Sequence, residues 1–448
     1  MKVTRRSSSF GSSSIGRRSS VNARDIERIQ QLLQNRIKLS PPIAYGIIIA
    51  SPIFAYFLAS IQRLYAGSLT KFIEAKFLLE IPNLATAASF NIFAVIFSIQ
   101  LIFLWILPSD DYKVTTSSGE KYIVNANSFI SSLLIALLYI LGATLGLYNG
   151  AIVYDNFLAV CILFSGYCIA INLYLHYFYS PNESSSEPFI LDFFFGKDLQ
   201  PKILDIDIKN FVTNRIAFTL WALYAVSCIY HSKQLFVKSP PALFTLVALQ
   251  LFYIARRQWT EHLFYANLDS QYDRAGFYRL WGIGVFCIII HTGPLSILAN
   301  SKIGVSLPVC GFLGILNIIF QILNSSCDLQ KYNFRAANGK IKINDKDPYF
   351  LAAKYKNENG ETAVNLLLGS GYFRSCRHLN YTTEFLTFLT WSCLQRNPNL
   401  FTYFSPVFLL IILYARMSRD ELRCYAKYNQ YWVHYCHKVP YLVIPGII

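Results

Sequence analysis

Charged residues are scarce in this chain. Asp, Glu, Lys and Arg make up 15% of its 448 residues, whereas hydrophobic residues make up 54% and the mean hydropathy is +0.36. Soluble domains carry about 25% charged residues. The composition therefore excludes an ordinary soluble globular protein and predicts a polytopic membrane protein.

The cysteine spacings of a metal site or a disulfide framework are also missing. The ten cysteines are scattered, none forms a Cys-x-x-Cys pair, and most lie inside apolar runs. Such cysteines behave as small core hydrophobes, which argues against zinc and disulfide frameworks. No flavin or metal motif is present. A cleavable signal peptide is not expected, because the first apolar run begins beyond residue 40.

Long apolar runs are abundant instead. Ten of them approach the ~20 residues that cross a bilayer, so the sequence predicts an all-α polytopic protein with about ten transmembrane helices. The runs cover 43–61, 85–107, 129–149, 151–178, 216–230, 240–264, 277–298, 303–324, 383–395 and 399–414. The runs at 216–230 and 383–395 are short, so tilted or partly re-entrant segments stay open there.

Lysine and arginine set the predicted orientation. With the N-terminus in the cytosol, segments on that side hold 31 of the 40 Lys and Arg, against seven on the other side. Cationic loops favour the cytosol, so both termini are predicted to be cytosolic. The sequons at Asn182 and Asn380 are then expected to stay unmodified. The net charge of +15 suits anionic membrane lipid, and nucleic acid is not an expected partner.

Three regions are predicted along the chain: a basic arm at 1–42, N-terminal transmembrane helices at 43–240, and a catalytic half at 241–448. Residues 1–24 contain no acid and many serines, a composition typical of disorder. A topology-setting anchor is the favoured interpretation of the arm, with a phosphorylated or partner-binding segment as the alternative. Residues 25–38 are expected to form a short surface helix.

A dense polar motif occupies 366–384 and reads LLLGSGYFRSCRHLNYTTE. Arg377, His378, Asn380 and Tyr381 lie within five residues, directly before an apolar run. Polar groups at a membrane boundary are costly unless they bind something. The glycines of this motif do not make a dinucleotide-binding fingerprint, because we expect neither a preceding strand nor a βαβ unit, and Arg374 stands at the third glycine.

This motif resembles that of the sterol reductase family. Leu-Leu-x-x-Ser-Gly, two aromatics and Arg-His-x-Asn-Tyr are similar to the family pattern, as is DSQYDRAGFYRLWG at 269–282. A third similar segment is the loop 179–215, with Asp207, Lys209, Phe211 and Arg215, although a purely structural loop stays open there. The resemblance covers about residues 85–448 and is greatest to the Δ7-reductases of the family.

The resemblance implies NADPH-dependent reduction of a sterol carbon–carbon double bond in the endoplasmic reticulum membrane. Reduction at the sterol C14 or C24(28) bond is an alternative within the enzyme class. A non-catalytic sterol-binding scaffold that resembles lamin B receptor is the alternative from another class. The expected partners are a sterol and membrane lipid.

The resemblance also implies a set of cofactor contacts. Lys331 and Arg335 would bind the NADPH phosphates, and two cations on one helical face suit that task. Charges that only set topology are the alternative. The other implied contacts are Leu368, Phe373, Asn380, Tyr381, Arg416, Asp420, Cys424, Lys427, Tyr428 and Tyr435. The spacing from 416 to 435 predicts one continuous helix. Cys424 fits a core role equally well.

The chain departs from the family pattern at two places. Tyr372-Phe373-Arg374 stands where the family has two aromatics and glycine, and Asn429 replaces a glycine. Phe373 can still stack on a nicotinamide or sterol ring.

Reduction of an alkene without a carbonyl requires an acid in a dry site. The candidates are Glu261, Asp269, Asp273 and Tyr381. Glu261 follows Arg257 by four residues, so a structural salt bridge between these two on one helix face is the alternative to an acid role for Glu261. No metal is expected.

Overall fold

The computed structural model describes residues 39–82, 84, 86–115, 121–179, 188–356 and 360–447. The predicted disordered segment at 1–24 and the surface helix at 25–38 lie outside these residues. Helices dominate the fold. They are α1 (Pro41–Leu64), α2 (Leu69–Glu74), α3 (Ala87–Ile106), α4 (Ser128–Thr144), α5 (Ile152–Asp155), α6 (Phe157–Tyr179), α7 (Phe189–Phe195), α8 (Ile208–Leu235), α9 (Pro241–Trp259), α10 (Glu261–Ala266), α11 (Leu268–Tyr272), α12 (Phe277–Ala299), α13 (Leu307–Ala336), α14 (Leu379–Cys393), α15 (Phe404–Tyr428) and α16 (Gln430–Lys438).

Six helices of the described chain are long and apolar enough to cross a membrane: α1, α3, α6, α8, α12 and α13. Helix α4 is apolar but has only 17 residues. The other three predicted runs also lie on helices, but α9 carries two arginines, α14 has 15 residues and the second half of α15 is polar. The number of ten spans therefore stays a prediction.

Helices α8 and α12 form the centre of the bundle. The most apolar window of each is 89% and 78% buried inside the protein, whereas the windows of α1, α3 and α13 are at most 28% buried. The exposed apolar faces of these three helices suit contact with lipid. Helices α1, α9 and α13 carry proline in their first turn, where its missing N–H breaks no helical hydrogen bond.

Polar side chains connect helices inside the bundle. Gln100 of α3 donates to Thr219 of α8 and accepts from Ser131 of α4. Gln258 of α9 donates to Ser132 and to the backbone oxygen of Asn214. Interhelical bonds of this kind stabilise helix association in lipid, where water offers no alternative partner.

In the described part of the chain, three two-stranded antiparallel hairpins interrupt the helices: β1 (Asp110–Thr115) with β2 (Lys121–Ala126), β3 (Lys202–Ile203) with β4 (Ile206–Asp207), and β5 (Phe350–Lys356) with β6 (Thr362–Leu368). The expectation that no strand precedes Gly369 was wrong, because β6 ends at the residue before it. Its neighbour is β5, in antiparallel register from Phe350↔Leu368 to Lys356↔Thr362. This hairpin is not a βαβ unit, so it does not restore a dinucleotide fingerprint.

The prediction of a single C-terminal helix from 416 to 435 was also wrong. Helix α15 ends at Tyr428, and α16 begins at Gln430. Asn429 between them has a φ of 48° and a ψ of −122°, a backbone conformation that favours glycine. The break falls where the family pattern has its glycine.

Candidate functional site

A cavity of about 530 Å³ lies where the C-terminal end of α13 meets the β5–β6 hairpin, the start of α14, and helices α15 and α16. Helices α10 and α11 supply part of its wall. The site is therefore assembled from segments that are more than 150 residues apart in sequence.

All twelve residues for which the resemblance implied a cofactor contact line this one cavity. They are Lys331, Arg335, Leu368, Phe373, Asn380, Tyr381, Arg416, Asp420, Cys424, Lys427, Tyr428 and Tyr435. Their proximity is a finding about the fold, whereas their roles toward a cofactor stay predictions.

The cavity wall is strongly cationic. Six cationic side chains line it, against the two carboxylates of Asp328 and Asp420; the six are Lys331, Arg335, Arg377, Arg416, Arg423 and Lys427. Such an excess of positive charge in a concave site attracts polyanions. Phosphate is a fitting ligand class, because guanidinium and ammonium groups form strong charge-assisted bonds to it.

Several of these cations have unused donor capacity. Within the described residues, the Lys331 ammonium forms no hydrogen bond or ion pair; its Nζ lies 5.6 Å from the ring centroid of Phe373. The buried Nε of Arg416 and Nη1 of Arg423 are likewise without hydrogen-bond partners in the described structure. Unpaired hydrogen-bond donors at a cavity wall suit an anionic cofactor such as a phosphorylated dinucleotide.

A tight turn places Phe373 on the wall. Gly371 has a φ of +63°, and a Cβ there would approach the Gln330 side chain to 2.3 Å. Gln330 instead accepts from the backbone amide of Tyr372 at 3.0 Å. Phe373 is buried by this turn, whereas Arg374 is exposed and does not line the cavity. The arginine that replaces the family glycine therefore does not narrow the site.

The C-terminal helices are fastened to the hairpin by two hydrogen bonds. Tyr435 of α16 donates to the backbone oxygen of Leu368 at 2.8 Å, and Asn365 of β6 donates to the hydroxyl of Tyr428 at 2.6 Å. Both bonds join residues more than 60 positions apart, so they fix α15 and α16 against β6.

Asn380 and Asp328 connect α14 to α13 at the cavity wall. The Asn380 amide donates to the Asp328 carboxylate at 2.9 Å, and Asn324 donates to the backbone oxygen of Asn380 at 2.7 Å. The segment before the predicted 383–395 run is therefore held in place by polar groups of the neighbouring helix.

Cys424 is not suited to thiolate chemistry. Burial raises the pKa of its thiol to about 12, so the thiol stays protonated at neutral pH. The core interpretation of Cys424 is consistent with its 7% exposure.

Of the four candidate acids, Tyr381 alone lines the cavity. Its ring stacks on His378 with centroids 4.9 Å apart, and the Arg416 guanidinium lies 5.7 Å from the ring centroid. Burial raises the pKa of the Tyr381 phenol. The phenol therefore keeps its proton at neutral pH.

Asp269 and Asp273 lie behind the wall and bind arginines. Asp269 contacts Arg416 at 3.1 Å and Arg279 at 3.2 Å, and Asp273 contacts Arg419 at 2.7 Å. Burial alone would raise the pKa of the Asp269 carboxyl, but the guanidinium groups of Arg416, Arg279 and Arg419 lower it by more, so this pKa lies below its ordinary value.

Glu261 is fully buried outside the cavity. Its carboxylate accepts from the Asn210 amide at 2.6 Å and from the backbone N–H of Ser128 at 3.0 Å, and Arg215 lies 4.0 Å away. The predicted salt bridge between Glu261 and Arg257 was wrong. Helix α9 ends at Trp259 and α10 begins at Glu261, so the two residues do not share one helix.

Arg257 instead faces Glu384 of α14, at 3.7 Å. Glu384 also accepts a 2.6 Å hydrogen bond from Tyr253, and Arg256 lies 3.9 Å from it. No role was predicted for Glu384, Tyr253 or Asp328. Glu384 could have been recognised, because it is the only carboxylate of the 366–384 motif and directly precedes an apolar run.

Comparison with known proteins identifies what the chain is similar to. Residues 35–448 match the model of the ergosterol biosynthesis ERG4/ERG24 family. A 7-dehydrocholesterol reductase of Arabidopsis thaliana is 31% identical over 336 residues, which cover 74% of this chain and 78% of the relative.

Two further relatives are more distant. A probable 7-dehydrocholesterol reductase of Acanthamoeba polyphaga mimivirus is 26% identical over 340 residues, or 74% of each chain. The Delta(14)-sterol reductase LBR of Gallus gallus is 27% identical over 297 residues, which cover 64% of this chain and 45% of the relative.

Proposed function

Because the chain belongs to the ergosterol biosynthesis ERG4/ERG24 family of sterol reductases, we propose that it reduces a sterol carbon–carbon double bond with NADPH. The proposed bond is the Δ7 bond of 7-dehydrocholesterol or of a related sterol. The proposed location is the endoplasmic reticulum membrane, with both termini in the cytosol, and the proposed catalytic region is the half from 241 to 448.

The cationic cavity carries this proposal. It gathers six cations and all twelve expected cofactor contacts, including a Lys331 ammonium that has no hydrogen bond or ion pair among the described residues. A dinucleotide with a pyrophosphate and a 2′-phosphate matches such a wall in charge. The family membership supports a sterol as the second substrate.

NADPH, when bound, supplies a hydride to one alkene carbon. Lys331, Arg335 and Arg416 would hold its phosphates, and Phe373 would stack on a ring of the cofactor or of the sterol. The neighbouring alkene carbon must receive a proton. Tyr381 is the proposed donor, because its phenol lines the cavity and keeps its proton at neutral pH. The phenolate left after transfer would be stabilised by the nearby Arg416 guanidinium.

Reduction of the C14 bond is the second candidate, since a Delta(14)-sterol reductase is among the relatives. The purified protein should be incubated with NADPH and a panel of Δ7, Δ14 and Δ24(28) sterols, with products identified by gas chromatography–mass spectrometry. We expect NADPH-dependent loss of the Δ7 bond. Loss of the Δ14 bond alone would favour the second candidate, and no product from any sterol would contradict an enzymatic role.

A further inference from the structure

Lys209 is a fully buried cation that does not itself line the cavity. It lies in the first turn of α8 and is 0% exposed. Its ammonium donates to the backbone oxygen of Ser270 at 3.0 Å and to that of Asp273 at 2.9 Å. Within the described residues it forms no salt bridge, so both hydrogen bonds fix backbone rather than neutralise a carboxylate.

The backbone that Lys209 holds is the end of α11, which carries Asp269 and Asp273. A cation that bonds the last carbonyls of a helix stabilises that end. The two carboxylates point toward α15, where Asp269 contacts Arg416 and Asp273 contacts Arg419. Arg416 in turn lines the cavity. Lys209 is therefore connected to the cavity through one backbone segment and one ion pair.

The neighbouring residue anchors the same region to the N-terminal helices. Asn210 donates to Glu261 at 2.6 Å, and Glu261 also accepts from the backbone of Ser128 in α4. The start of α8 thus contacts both α10 and α11, and the position of the two aspartates depends on the packing of helices outside the C-terminal half.

We propose that Lys209 is a positioning residue for phosphate recognition. By fixing the 270–273 backbone, it holds Asp269 against Arg416. Asp269 in turn orients the Arg416 guanidinium toward the cofactor. The inference rests on the proposed NADPH-dependent function. An ammonium buried without a carboxylate is expensive, and a purely packing role would be met by a neutral side chain.

The test compares Lys209→Met, which keeps the length of the side chain but removes its charge, with Lys209→Arg, which keeps the charge. The matched control is Lys197→Met, because the Lys197 ammonium also donates to a backbone oxygen, that of His176 at 3.3 Å, rather than to the 270–273 backbone. The full-length proteins in lipid nanodiscs should be assayed for NADPH dissociation constant, KM for the sterol, and melting temperature.

We expect Lys209→Met to weaken NADPH binding by about 3- to 30-fold, the range for residues that act through an intervening contact, with the sterol KM within twofold of wild type. Lys209→Arg should recover most of the loss, and Lys197→Met should bind NADPH like wild type. Equal NADPH affinity of Lys209→Met and wild type would overturn the inference, as would equal weakening of NADPH and sterol. Wild type that binds no NADPH would refute the proposed function itself.

The obvious variant can fail to fold, so Asp269→Asn provides a second route to the same result. It keeps Lys209 and removes the carboxylate that meets Arg416 at 3.1 Å. A selective loss of NADPH affinity in Asp269→Asn, combined with no further loss in the double variant Asp269→Asn, Lys209→Met, is expected if both residues act on one guanidinium. Fully additive losses of NADPH affinity would contradict the inference that Asp269 and Lys209 both act through Arg416.

Discussion

The guanidinium of Arg257 lies 3.7 Å from the carboxylate of Glu384, a residue 127 positions later in the chain. With Arg256 and Tyr253, this pair joins α9 to α14, with Glu384 buried and Arg257 half-buried. Glu261 has a different set of partners: Asn210, Ser128 and Arg215. The two buried carboxylates thus connect different pairs of helices, and neither belongs to an isolated ion pair along α9.

Replacing Glu261 by Gln should therefore destabilise the fold rather than remove a proton donor. The change leaves the buried Arg215 guanidinium without a negatively charged neighbour, which costs about 3–5 kcal/mol. We expect a lower melting temperature in detergent, whereas Glu74→Gln at an exposed position should melt like wild type. A Glu261→Gln protein that melts normally and binds NADPH but cannot reduce sterol would restore the donor hypothesis.

The contrast between the cavity and Glu261 shows what the sequence can predict. The residues that line the cavity were recognisable as a group because they lie in long motifs with fixed spacing, and those motifs come together in one cavity; their role as cofactor contacts stays a prediction. The partner of Glu261 was not recognisable, because the helix breaks at Thr260 and the competing partners come from residues 128, 210 and 215. A four-residue spacing predicts a pair only where the helix continues. The hairpin before Gly369 was not predicted either. Its two strands pair only with each other and belong to no larger sheet in the described chain.

Replacing Arg335 by Ala should affect NADPH more than NADH. The Arg335 side chain lies at the cavity wall and is exposed, and the one hydrogen bond that it forms within the described residues, to the Leu366 oxygen, is long at 3.5 Å. It is therefore available for the 2′-phosphate that distinguishes NADPH. A charge-assisted contact is worth roughly 1.5–3 kcal/mol, so we expect a loss of about 10- to 100-fold in kcat/KM for NADPH.

The control for Arg335 is Lys340→Ala, which removes an exposed cation beyond the end of α13 that does not line the cavity. Its kinetics with both cofactors should match wild type. Small and equal effects of Arg335→Ala on NADPH and NADH would indicate that this arginine contributes only to topology.

Asp269 should contribute stability that depends on pH in a defined direction. Because the pKa of Asp269 is lowered in the folded protein, its carboxylate stabilises the fold above the unfolded pKa of about 4, and this contribution is lost as pH falls through the folded pKa. Asp269→Asn should thus melt below wild type between about pH 5 and 8, and the gap should narrow below about pH 4.

Thermal melts across this range measure the effect, with Asp347→Asn as the control at an exposed carboxylate. A gap that widens on acidification would mean that Asp269 is protonated in the folded protein, and the acid hypothesis for this residue would gain support.

The predicted topology needs a test that does not depend on the native sequons. Asn182 lies outside the described residues, and the Asn380 side chain donates to Asp328 within the fold, so a missing glycan at Asn380 is explained by packing alone. The ends of the bundle are better reporters. Val237 follows α8 and lies near Leu307 at the start of α13, whereas Lys340 follows the end of α13.

Thirty residues of α13 separate these two ends, a length of about 45 Å at ~1.5 Å per residue. In sealed microsomes we expect an impermeant maleimide to label Lys340→Cys at once and Val237→Cys only after permeabilisation, because cationic loops favour the cytosol. The ten native cysteines are buried or half-buried, so wild type should give little background. Labelling of Val237→Cys in intact vesicles would place residues 237 and 340 on the same side of the membrane. Helix α13 would then not cross the bilayer.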